Sequence, residues 1–194
     1  MVKNILIIAV LIPSLLFSQE SKKERVVSKG LLRAQGIMSF GRLVDLGETT
    51  MFLHGNLEYH VTEVVTARSD IFYFLKSDDE NTLNMNHQLF EGASFHIKTK
   101  GNFDPYFGFQ PGIAWSESKV PTLINNDYTY SANSVNPLIS GVIGFNFYAT
   151  KFFHLFIDGR FIYGNHLSDS QPVSLNEVRI SFGLGLNLNG GSIN

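Results

Sequence analysis

The chain has 194 residues, 44% hydrophobic and 13% aromatic, with 17 Phe and no Cys. Only 16% are charged, against about 25% in an ordinary soluble domain, and the 15 Lys+Arg and 17 Asp+Glu nearly cancel. These values exclude a disulfide-stapled miniprotein, offer no basic surface for nucleic acid, and leave no apolar run near the roughly 20 residues of a membrane-spanning helix.

Residues 1–18 read as a secretory signal. Lys3 supplies the positive start, Ile5 to Phe17 forms an apolar stretch broken by Pro13, and small Ser18 precedes a cleavage point at Gln19. No Cys follows to carry a lipid. Residues 19–30 are polar and read as a periplasmic lead-in.

From residue 31 to 189 the apolar period is close to two, the mark of strands whose faces meet different media. Leu32–Gly41 sets Leu32, Ala34, Met38 and Phe40 against Arg33, Gln35 and Ser39. Met51–Val61 sets Leu53, Leu57 and Tyr59 against His54, Asn56, Glu58 and His60. Val65–Leu75 sets Ile71, Tyr73 and Leu75 against Thr66, Arg68 and Asp70. His87–Lys98 sets Leu89, Ala93, Phe95 and Ile97 against Gln88, Ser94, His96 and Lys98. Pro105–Ser116 sets Phe107, Phe109, Ile113 and Trp115 against Tyr106, Gln110 and Ser116. Val135–Tyr148 sets Ile139, Ile143, Phe145 and Phe147 against Ser140, Gly144 and Asn146. Leu155–Ser168 sets Ile157, Phe161, Tyr163 and Leu167 against Asp158, Arg160, His166 and Ser168. Glu177–Asn189 alternates without a break. Glu91 falls on the apolar face, and Phe52, Phe72 and Phe90 fall on the polar one, where rim positions or a bulge would absorb them.

Eight such segments predict an all-β fold: an eight-stranded antiparallel transmembrane up-and-down β-barrel, apolar outside and polar inside. Short links near 62–64, 99–103 and 150–152 and longer ones at 42–50, 77–86, 117–133 and 169–176 are the expected asymmetry of turns and outer loops. A soluble barrel of lipocalin type would reverse the faces and carry Lys and Glu outside, which the low charge opposes.

On this pattern the mature chain resembles the small eight-stranded outer-membrane barrels, the OmpA/OmpX-like family. The most specific piece is Ser181-x-Gly183-x-x-Leu186-x-Leu188, similar to the signal that the barrel assembly machinery reads in that family. The segment 190–194 follows as a tail where the family usually ends on an aromatic residue. The resemblance implies residence in the outer membrane of a Gram-negative-type envelope, lipid and the assembly machinery as partners, a monomer, and no peptidoglycan-binding domain or cofactor.

An eight-stranded lumen is just wide enough to be filled by side chains. The inward charges are Arg33, Arg68, Arg160 and Arg179 against Glu58, Asp70, Asp158 and Glu177, which predicts an interlocked network that plugs the lumen. The expected role is structural or surface-interacting, with no catalysis. A narrow pore for small solutes is one alternative. His54 and His60 share a strand face but stand roughly 20 Å apart, too far for a common metal ion. His166-x-Ser168 with Glu177 resembles the triad of the outer-membrane lipid A deacylase, the other alternative, although its parity points to the lumen. The loop 117–133 is a candidate surface for an unknown partner.

Overall fold

The computed structural model describes residues 26–78, 82–121, 128–130, 133–168 and 172–189. The signal-like segment 1–18, most of the lead-in and the tail 190–194 lie outside these residues, as does much of the loop 117–133.

Alternating sequence becomes strand because period two places all apolar side chains on one side of a pleated ribbon. In chain order these are β1 (Leu32–Leu43), β2 (Thr49–His60), β3 (Val65–Ser77), β4 (Leu83–His96), β5 (Phe103–Pro121), β6 (Tyr128–Tyr130), β7 (Ser134–Tyr148), β8 (Phe153–His166), β9 (Val173–Ser174) and β10 (Glu177–Asn187). Each barrel strand pairs antiparallel with the next, and β10 pairs with both β8 and β1, so β1, β2, β3, β4, β5, β7, β8 and β10 form a closed cylinder of eight strands. The short β6 and β9 pair only with β5 and β8, as extensions at one end.

Several boundaries differ from the sequence pattern. β5 runs on to Pro121 because β6 pairs with its tip, Lys119 opposite Tyr130. β1 and β2 likewise extend until residues 44–48 join them, so the length asymmetry between the ends rests mainly on the β5–β7 and β8–β10 connections. At the opposite end the turns are held by threonines. Thr62 Oγ1 accepts the amides of Val64 and Val65 at 3.2 and 2.9 Å, and Thr150 Oγ1 accepts those of Phe152 and Phe153 at 3.1 and 3.0 Å. Gly101, at φ 92°, supplies the left-handed residue of the turn between β4 and β5.

The polarity is inverted relative to a soluble barrel. Leu53, Ile71, Phe109, Ile143, Phe161 and Leu184 face outward and are each more than half exposed, whereas Arg33, Asp70 and Glu177 face inward at 0%. Water around such a wall would be costly at about 25 cal/mol per Å² of apolar surface, while hydrocarbon is not. The outward apolar band and the closed backbone ladder together meet the requirement for crossing a bilayer with strands.

Phe52, Phe72 and Phe90 are not rim residues: they point into the lumen at 0% exposure, Phe72 and Phe90 within regular pairing and Phe52 at the flank of a bulge. The register between β2 and β3 shifts between Met51 and Phe52. The shift lets Leu75 and Lys76 both face outward before Ser77 returns inside. Glu91 points outward and is exposed.

Candidate functional site

The described strands enclose one lumen, and its side chains fall into three tiers. Nearest the short turns, Arg33 of β1 donates to Glu58 Oε2 at 2.5 Å, to Asp104 Oδ2 at 3.1 Å and to the Tyr148 hydroxyl. His96 bridges the same two carboxylates, with Nε2 2.9 Å from Glu58 and Nδ1 3.0 Å from Asp104. Thr66 donates to Glu58 at 2.5 Å and Asn146 to Asp104 at 3.1 Å. His60 rests with its ring 4.8 Å from that of His96.

The middle tier is centred on Asp70. Arg68 grips its two oxygens through Nε and Nη2, both at 2.8 Å, and Arg160 Nη2 stands 2.9 Å away. His54 at 2.8 Å, Asn56 at 3.1 Å and Gln110 at 2.8 Å complete its shell. Arg68 also reaches Asp158 at 3.0 Å, and Tyr106 donates to the same carboxylate at 3.2 Å. The neighbours Arg68 and Asp70 therefore pair within their strand. Asp158 and Arg160 do not: each crosses the lumen to β3, one to Arg68 and the other to Asp70.

The third tier is aromatic. Arg179 holds Glu177 through two bonds of 3.0 and 2.6 Å, while Thr50 donates to that carboxylate at 2.7 Å. The same guanidinium lies over the rings of Phe52 and Phe72, 3.8 and 4.2 Å from their centroids. Arg160 lies over Phe72 and Phe90 at 5.2 and 4.9 Å. Beyond the rings, Leu43, Leu83, Leu138, Ile162 and Leu175 close an apolar cap at the loop end. The two layers are chemically continuous because a guanidinium is planar, weakly hydrated and favoured over a ring face.

All eight charged residues singled out in the sequence line this interior, none more than 2% exposed. Desolvating so many charges is expensive, and only dense pairing makes it tolerable. Asp104 escaped the sequence reading because it stands before Pro105, which looks like a strand start; its inward parity with Tyr106 was the available signal. The parts played by His54, His96, Tyr106 and Tyr148 depend on which strands meet across the lumen, which alternation alone does not reveal. Gly41 belongs to the site by what it lacks, since a Cβ there would sit 1.6 Å from Glu177 Oε1. Gly41→Ala must displace that carboxylate from Arg179, and we expect it to lower stability by about 1–3 kcal/mol in urea titrations.

The residues of the triad-like constellation are placed apart in their partners. His166 Nδ1 lies 2.9 Å from Ser116 Oγ and 3.1 Å from Ser134 Oγ. Ser168 lies beyond the end of β8. Both Glu177 oxygens are taken by Arg179, so its carboxylate is committed to the lumen. In the last strand, Ser181 faces inward and shares a 2.6 Å hydrogen bond with Ser39, Gly183 leaves room for Ile37, and Leu186 and Leu188 face outward.

No protein-family model matches the chain, and no curated protein sequence matches it. Solved structures do. OprG, an outer membrane protein from Pseudomonas aeruginosa, aligns with a TM-score of 0.63 at 9% identity over 84% of this chain and 98% of its own. Neisserial surface protein A aligns with a TM-score of 0.59 at 13% identity over 81% of this chain and 96% of its own. Closed eight-strand topology, inverted polarity and these two structural matches agree: the chain has the fold of the small eight-stranded outer-membrane β-barrels.

Proposed function

We propose that this protein resides in the outer membrane, exported by the segment 1–18, as a barrel closed by its own side chains, and that it acts as an envelope scaffold or surface-interaction protein, not as a pore or an enzyme. The observation that carries this reading is the continuity of the filling. Ion-paired arginines occupy the turn end and the middle, and a ring cluster under an apolar cap occupies the loop end, all with near-zero exposure. A solute path would need either a broken ion pair or a displaced ring in each tier.

The loop-end rim suits presentation. Val44 N donates to Asn176 O at 2.8 Å, Asn176 donates to Asp45 at 2.8 Å, and Ser174 donates to the same carboxylate. These bonds tie the β1–β2 connection to the β8–β10 connection, giving a rigid base for whatever the loops bind. The test is single-protein recording in planar bilayers. Baseline current with inserted, heat-modifiable protein is the expected result; a steady, large conductance from the unmodified chain sinks the proposal.

A further inference from the structure

The turn-end mouth of the barrel is covered, and the turns do not cover it. His60, His96, Tyr148 and Asn187 are the last residues of β2, β4, β7 and β10, and Asp104 and His154 are second in β5 and β8. Inward side chains so close to an open end would meet water, yet none of the six is more than 4% exposed. The links 61–64, 97–102 and 149–152, which join the strands here, hold no buried residue. Among the described residues outside the strands at this end, only the segment before β1 does: Val27 is 4% and Leu31 2% exposed.

Hydrogen bonding divides that segment in two. Gly30 N donates to His60 O at 2.8 Å and His60 N to Leu31 O at 2.9 Å, so residues 30 and 31 continue the β1–β2 ladder. Residues 26–29 have left it. Gly30 stands at φ 87°, and Leu31 N donates to Ser28 O at 3.2 Å, a turn that reverses the chain. On the outer face nearby, Tyr59 and Val61 stay nearly half exposed, so a reversed Val27 at 4% lies under the mouth and not against the outer wall. His60 is covered at the same end, and its two ring nitrogens make no hydrogen bond among the described residues.

Resting on the closed-lumen reading above, we infer that residues 26–29 are a strap that shuts the turn-end mouth and swings about Gly30, admitting periplasmic solvent to His60 and the Arg33 cluster. Two opposed terms poise it. Burial of the Val27 side chain holds the strap down. The bare imidazole of His60 pulls the other way, because a buried polar group without a partner is costly and entering water satisfies it. Opening breaks the single bond from Leu31 to Ser28 and leaves every rung of the barrel in place, since the hinge lies outside the strands. Such local opening needs no global unfolding. The ion pairs of the middle tier and the apolar cap remain, so an open strap wets the turn-end tier without making a pore.

Diethyl pyrocarbonate, a small neutral reagent that crosses bilayers and acylates bare imidazole nitrogens, reads the strap directly. His54 is the internal reference: its Nδ1 is equally bare, but it belongs to the middle tier. In the full-length mature protein, refolded into phosphatidylcholine vesicles, both histidines are expected to label slowly by peptide mass spectrometry. Val27→Asp, which replaces the apolar contact with a charge, is expected to speed His60 at least tenfold and leave His54 unchanged, while Val27→Ile keeps the parent rate. Gly30→Ala acts through the hinge alone. Its Cβ meets no atom within 4 Å but is strained at φ 87°, and His60 is expected to label severalfold faster. A mature chain starting at Gly30 lacks the strap and carries the test if Val27→Asp gives no heat-modifiable band. Folded strapless or Val27→Asp protein whose His60 labels at the parent rate, or whose His54 speeds up equally, overturns the strap. Rapid labelling of His60 alone in the parent does the same, whereas rapid labelling of His54 in the parent indicts the closed lumen itself.

Discussion

Asp70→Ala is expected to lower the stability of the folded barrel by about 3–5 kcal/mol, the usual result of deleting one side of a buried ion pair. The reason lies in how many groups converge on one carboxylate. Arg68 at 2.8 Å, Arg160 at 2.9 Å and His54 at 2.8 Å all lose their counterpart, and Asn56 and Gln110 lose an acceptor. Asp158 is left facing two arginines alone, all of them at most 2% exposed and so out of reach of bulk solvent. Urea unfolding in lipid vesicles, followed through the single Trp115 on the outward wall, measures the loss. Asp70→Asn keeps the shape and part of the hydrogen bonding but not the charge, and is expected to fall between the parent and the alanine variant. A loss below about 1 kcal/mol for Asp70→Ala would mean that the tier is hydrated and that Asp70 is not its centre.

Phe72→Ala is expected to destabilise by a similar amount, about 3–5 kcal/mol, but for a different reason. Its ring meets three others: Phe52 at 6.1 Å and Phe90 at 6.0 Å between centroids, both edge to face, and His54 stacked at 4.1 Å. Arg179 and Arg160 both lie over it, so removing the ring leaves a void beneath two guanidinium groups and takes away a favourable surface for each. Phe72→Leu restores bulk without the ring face and is expected to recover roughly half of the loss, the remainder being the cation–ring term. The same urea titration decides, and equal stability of the leucine and parent proteins would show that the stacking contributes nothing.

Alternation in the sequence made the fold legible because a strand between lipid and a crowded lumen has a different medium on each side at every residue. The face of each side chain follows from parity alone, and so the inward set of arginines and acids was visible. What parity does not carry is distance across the barrel. Arg68 and Asp158 are 90 positions apart, and Arg33 and Tyr148 are 115. Their meeting depends on the register of every strand between them. The inward phenylalanines show the same gap in another form. On a face of Asn, Ser and Arg they look like errors of pattern, yet a ring is a good neighbour for a guanidinium with no water around it. Asp104 was hidden by the proline after it, and the commitment of Glu177 to Arg179 is clear only once Thr50 and Gln88 are seen beside them.

The pairing of β1 with β10 has a consequence for how this molecule comes into being. Ala34 lies opposite Leu186 and Leu43 opposite Glu177, so the seam joins the two extremes of the described chain. Asn189 secures it, accepting from Leu32 N at 2.8 Å and donating to Gly30 O at 2.5 Å. Until the final strand arrives, β1 and β8 each present a bare row of amides and carbonyls, which hydrocarbon does not satisfy and which invites pairing with any other open strand. Closure of the barrel is therefore an all-or-nothing event that waits for the 11 residues of β10, with the long-range pairing making it slow. A chain cut short within β10 would not give a smaller barrel; it would give an aggregate.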